Sequence, residues 1–159
     1  MTVEGFSESM GVTIEIDWRR GFCAIRDQGP RPTCLAVATS DLHGHKRYGG
    51  QQVLSVEALY HYAIKRMGRI GQQSGASIPS MQLALEFDGQ PLEAVWPYGK
   101  LSPAPEPIDN SGTMQMHKAS MGVGFSNLTA SAFSIINSEP VMMVLGITNS
   151  FRDVKSGEI

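Results

Sequence analysis

Gln28, Gly29 and Cys34 are the residues whose types and spacing point to chemistry. Cys34 follows the run Asp27-Gln28-Gly29-Pro30-Arg31-Pro32-Thr33, in which a glycine and two prolines forbid regular structure. Leu35-Ala36-Val37-Ala38 then reads as a small-residue helix able to enter a core. Pro32 suits the start of that helix, where a missing N–H costs nothing. A thiol placed there faces unpaired N–H groups and the positive end of the macrodipole, which favours the thiolate. Gln28, six positions earlier, can aim an amide N–H at the same place. A nucleophile beside a neutral donor is the minimal kit for acyl transfer: the sulfur attacks a carbonyl carbon and the donor stabilises the oxyanion.

The elements that must position these groups follow from periodicity. The β-branched alternation at 12–16 reads as a short strand. Trp18 reads as a core anchor and Cys23, between Phe22 and Ala24, as a buried inert thiol. The helix that starts at Thr33 is expected to run to about Leu42 and to stop at Gly44. His43 and His45 then fall at a solvated helix end, with His43 some 13 Å along the axis from the thiol at ~1.5 Å per residue. Ser55 caps a second helix with Glu57 in its first turn and an inward stripe of Val56, Leu59, Tyr60, Ala63, Ile64 and Met67. His61 falls off that stripe and reads as exposed. A glycine-rich loop over 68–77 leads to a third helix over 78–87, with Ile78, Met81, Leu83, Ala84 and Leu85 inward and Asp88-Gly89 as its stop. The three prolines of 101–112 make a rigid surface excursion. His117 lies in a candidate strand over 114–119, either as an internal base folded back toward the thiol or as a surface strand residue. A helix over 129–137 and a continuous apolar, buried strand over 141–147 close the pattern, with an edge strand over 151–159.

Gln28-Gly29 followed by Cys34 and a small apolar helix resembles the papain-like cysteine peptidases, in which the Gln contributes to the oxyanion hole and the Cys is the nucleophile. Ile16-Asp17-Trp18-Arg19 resembles the family's lead-in, and Leu54-Ser55-Val56-Glu57-Ala58-Leu59 its second helix. Gly75-Ala76-Ser77-Ile78 and Trp96-Pro97-Tyr98 resemble its bacterial branch, and Glu139-Pro140-Val141-Met142-Met143-Val144 the strand after a later helix. These matches run in order from about Ile16 to Phe151. The resemblance implies an α+β fold in one domain over 1–159, with a helical half over about 12–100 and the start of an antiparallel β half over about 113–159. It implies Cys34 as nucleophile and Gln28 in the oxyanion hole. Gly75 and Ala76 would hold an extended substrate by their backbone, unless that loop is an ordinary connection. Met142 and Val144 would border the pocket for the residue before the scissile bond, unless they are simply core.

The departures carry information too. Arg31 stands where the family has a disulfide-forming cysteine, and Leu35 where it has an aromatic residue. The family's His and Asn lie roughly 130–150 residues beyond the nucleophile, which from Cys34 begins at about residue 164 and so past Ile159. The expectation is therefore a papain-like peptidase whose C-terminal segment, with the base, lies beyond this sequence. The alternatives are a non-catalytic papain-like module that binds an extended peptide or partner protein, or another thiol acyl-transfer chemistry such as a transglutaminase or amidase.

With 159 residues, 42% of them hydrophobic, the chain suits one domain with a core. A net charge of −2 and a pI near 6.1 make no electrostatic case for nucleic acid or an anionic membrane. The longest apolar run, 141–147, is too short to cross a bilayer. Two cysteines make no disulfide framework, so a reducing cytoplasm is the expected compartment. No metal or cofactor is expected. The partners expected are a peptide or protein substrate, with self-association or completion by another chain if the β half presents open strand edges.

Overall fold

A computed structural model describes residues 17–23, 25–109, 112, 114–122 and 138–144. The strand expected over 12–16, the helix over 129–137, the end of the strand over 141–147 and the edge strand over 151–159 lie outside these residues. What is described is mainly helical. A 3-10 turn at Arg19–Gly21 is followed by α1 (Cys34–Tyr48), α2 (Val56–Arg66) and α3 (Ile78–Leu83), which continues into a π-helical turn at Ala84–Asp88.

α2 is the centre of the core and packs against both α1 and α3. Its start is fixed by Ser55, whose hydroxyl accepts the Ala58 N–H at 3.1 Å, with Glu57 in the first turn and Lys65 and Arg66 in the last. The spacing of Val56, Leu59, Tyr60, Ala63 and Ile64 buries that face against Ala36 of α1 and Met81, Ala84 and Leu85. Leu59 and Met81 are completely buried, each contributing about 1.5–3 kcal/mol of apolar transfer.

α1 is longer than its sequence suggests. Gly44 is buried within the helix, and the chain leaves it only at Gly49, which takes the left-handed conformation (φ 57°) and returns its N–H to the His45 carbonyl. His45, Lys46 and Arg47 occupy the last turn, where cations oppose the negative end of the dipole. His43 and His45 are accordingly not at a solvated end. His43 is buried, and the half-buried ring of His45 stacks on Phe22 at 4.6 Å.

α3 starts in a capping box formed by Ser77 and Ser80, with a proline in its first turn. Its inward set is smaller than the pattern implied. Met81, Ala84 and Leu85 are buried, but Ile78, at the first position of the helix, and Leu83, two positions beyond Met81 and so on the opposite face, are exposed. Trp96 is wholly buried. Trp18 and Cys23 are only half-buried: Trp18 meets His45 edge-on, and Cys23 directs its thiol at the carbonyls of Gly50 and Gln52.

β structure among the described residues is limited to two isolated antiparallel bridges, Leu54 with Leu92 and Gln90 with His117. The strand expected over 114–119 thus amounts to one paired residue, His117, which is buried rather than on the surface. Residues 141–144 join no ladder, and Val141, Met143 and Val144 are exposed rather than buried.

Candidate active site

The loop before Cys34 is held from three directions. Asp27 accepts the Gly29 N–H at 2.8 Å and pairs with Lys100, and both contacts keep its carboxyl below the usual carboxylate range. Gly29 takes φ 63°, which a side chain would resist. Tyr98 donates its hydroxyl hydrogen to the Gln28 carbonyl at 2.8 Å. A phenol has one hydrogen, so the 2.6 Å contact between Tyr98 and Thr33 must be donated by the Thr33 hydroxyl. The Thr33 hydroxyl is turned to Tyr98 and makes no side-chain cap for α1.

Arg31 is the third hold. Its side chain is 4% exposed and that of its partner Glu57 is 2% exposed. The two guanidinium nitrogens donate to the two carboxylate oxygens at 2.5 and 2.9 Å, a bidentate pairing, and one of them also reaches the Gly99 carbonyl at 2.6 Å. Glu57 in turn accepts the Gly99 N–H at 3.1 Å. The guanidinium lies between the Tyr98 and Tyr60 rings, 4.9 and 5.3 Å from their centroids. Burial opposes its charge, but the bonds and attraction of Glu57 carry the Arg31 pKa above its ordinary value. Sequence reasoning missed Glu57, which shares the inward face of α2 with Tyr60 and Ile64. An acid on an apolar stripe signals a buried cation.

Cys34 is exposed and is the first residue of the 15-residue α1. Among the described residues no side chain hydrogen-bonds its sulfur. Gln28 spends one of its two amide hydrogens on the Arg31 carbonyl at 3.0 Å, leaving the second. The chain's four histidines are all engaged elsewhere. His43 meets Gln90, and His45 lies on Phe22. His61, half-buried rather than exposed, packs on Trp96 and faces Glu106 at 3.7 Å. His117 meets the hydroxyl of Tyr48, the last residue of α1, at 3.2 Å; the Tyr48 backbone lies about 21 Å along the axis from Cys34. His117 is therefore not folded back toward the thiol.

Gly75 is exposed with open space where a side chain would stand, beside a loop anchored by a Tyr60 bond to the Ser74 carbonyl at 2.6 Å. Ala76 is half-buried and packs on the core. Lys46 pairs with Glu139 at 2.8 Å, and Thr39 donates to the Met142 sulfur at 3.6 Å. Residues 139–142 therefore run antiparallel to α1, and Val144, two residues further on, is exposed. A hollow of about 320 Å³ lined by Leu92, Val95, Ile108, Met114 and His117 includes neither Cys34 nor Gln28.

Among the described residues no group of three or more His, Cys, Asp or Glu is arranged to hold a metal. No described helix is long and apolar enough to cross a membrane. No protein-family model matches the chain, and none of the curated proteins matches it.

Proposed function

We propose that the chain is the nucleophile-bearing part of a papain-like cysteine peptidase with an α+β fold, acting on peptide or protein substrates. The observation that carries this reading is Cys34 itself: an exposed thiol on the first residue of a long helix, led in by a loop tied down at Asp27, Gln28, Arg31 and Thr33. Cys34 would attack the carbonyl carbon of the scissile peptide. The second Gln28 hydrogen and backbone N–H groups at the start of α1 would receive the oxyanion, and the amine would leave as the carbonyl re-forms. The imidazole that takes and returns the proton comes from outside the four histidines of this chain, either from further residues of the protein or from another chain. Two more features support the reading. Arg31, in the place the resemblance gives to a disulfide cysteine, ties the loop by its ion pair with Glu57. Residues 139–142 run toward the Cys34 end of α1, as the border of a substrate pocket at Val144 requires. Both cysteines are free, which suits a reducing cytoplasm.

The placement of all four histidines away from the thiol favours a second reading, a non-catalytic papain-like module that binds an extended peptide or a partner protein. Alkylation by iodoacetamide across a pH series separates the two. The peptidase reading expects Cys34 to react about tenfold or more faster than glutathione near neutral pH. A rate equal to that of glutathione refutes the peptidase and leaves the binding module.

A further inference from the structure

Arg31 does two things at once. Its side chain is clamped by Glu57 of α2 and by Gly99, while its own carbonyl accepts the Gln28 amide at 3.0 Å and the Thr33 N–H at 2.8 Å. Any movement of Arg31 therefore moves the amide donor and the residue before Cys34 together. Stability alone is a poor reason for such a pair. Replacing a buried ion pair by well-packed apolar residues is often neutral or stabilising, because desolvation offsets the attraction. The geometric content is what an apolar pair cannot supply: a rigid fork bonded to both carboxylate oxygens and to a third chain segment, stacked between two rings.

We infer that Arg31 and Glu57 are positioning residues for the Cys34 site, setting the start of α1 and the Gln28 amide by a charge clamp that needs no disulfide. The inference rests on the reading of Cys34 as a nucleophile.

The test compares iodoacetamide alkylation of Cys34 with that of Cys23 in the wild-type chain, in Arg31→Met/Glu57→Leu and in Arg31→Lys, with urea unfolding of each. The double variant removes both buried charges together and is expected to stay folded. Its Cys34 rate is expected to fall about tenfold toward that of glutathione, with the Cys23 rate unchanged. Arg31→Lys keeps the charge but not the fork, and is expected to lower the Cys34 rate at least about threefold. If the double variant does not fold, the lysine variant decides. A wild-type rate that is fast and unchanged in the folded variants overturns the positioning role and leaves the nucleophile standing. A wild-type rate no faster than glutathione removes the nucleophile, and the positioning role with it.

Discussion

The buried imidazole of His43 accepts a hydrogen at Nδ1 from the side-chain amide of Gln90, 2.8 Å away. Gln90 is fully buried, and its backbone exchanges both hydrogen bonds with His117, at 2.8 and 2.9 Å. Helix α1 is thus joined to residues 90 and 117 by a polar seam rather than an apolar one. Burial is the main force that lowers the His43 pKa to about 4, aided by the charges of Arg47 and His117. Burial, with Arg47, lowers that of His117 as well.

Acid should therefore loosen this seam. The unfolded His43 binds a proton below about pH 6.5, whereas the folded one stays neutral until about 4. The unfolded state holds more protons in that window, so stability is full above pH 6.5 and declines on acidification. The loss from His43 is bounded at about 3 kcal/mol by pH 4, and His117 adds in the same direction. Urea midpoints at pH 7 and 4.5, for wild type and His43→Gln, check this. The glutamine variant should lose distinctly less between the two pH values; an equal loss in both would assign the acid sensitivity to other groups.

The same seam carries a cost at neutral pH. Among the described residues, the Nε2 of His43 and the Oε1 of Gln90 are buried without a hydrogen-bond partner. Each such atom costs about 1–3 kcal/mol. Gln90→Leu alone strands both imidazole nitrogens and should destabilise by about 1–2 kcal/mol. The double variant His43→Leu/Gln90→Leu removes the stranded atoms together and should be at least as stable as wild type. A double-mutant cycle from urea unfolding reads the coupling directly, and additive single effects would contradict it.

How far these features were legible depends on distance along the chain. Helix α2 was readable because its cap, stripe and charged ends lie within the residues 55–66. The end of α1 was not. Gly44 looks like a stop, but α1 runs through it with the residue buried, and the chain turns only at the left-handed Gly49. His43 and Gln90 are 47 residues apart, and Arg31 and Glu57 are 26 apart. No local pattern pairs them, and charged or polar residues read singly are assigned to solvent. The placement of Cys34 at the start of α1 was legible because loop, helix start and thiol are contiguous.

Ser55 serves two elements with one hydroxyl. Its oxygen accepts the Ala58 N–H to cap α2, and its O–H donates to the carbonyl of buried Trp96 at 2.6 Å. Ser55→Ala removes the cap, worth about 1 kcal/mol, and strands a buried carbonyl for about 1–2 kcal/mol more. The expected loss is about 2–3 kcal/mol in urea unfolding. Ser55→Asn restores the acceptor but cannot fit the completely buried site, so it should not recover the full stability. A loss near 1 kcal/mol would mean that the Trp96 bond contributes nothing beyond the cap.

Gly49 and Gly89 both have positive φ, 57° and 77°, but their surroundings differ. A Cβ on Gly49 meets nothing within 4 Å, so Gly49→Ala should cost only the left-handed conformation, about 1–2 kcal/mol. A Cβ on Gly89 would lie 2.6 Å from the His117 carbonyl oxygen, the atom that accepts the Gln90 N–H. Gly89→Ala must therefore push residue 117 away and break the bridge that holds it to residue 90, in addition to the same conformational cost. The two alanine variants should differ by at least about 1–2 kcal/mol, the price of an unmade buried backbone bond. Amide exchange at residue 117 separates the causes: the Gly89 variant should lose protection there and the Gly49 variant should keep it. Equal protection in both would mean that the bridge yields to the methyl group without breaking.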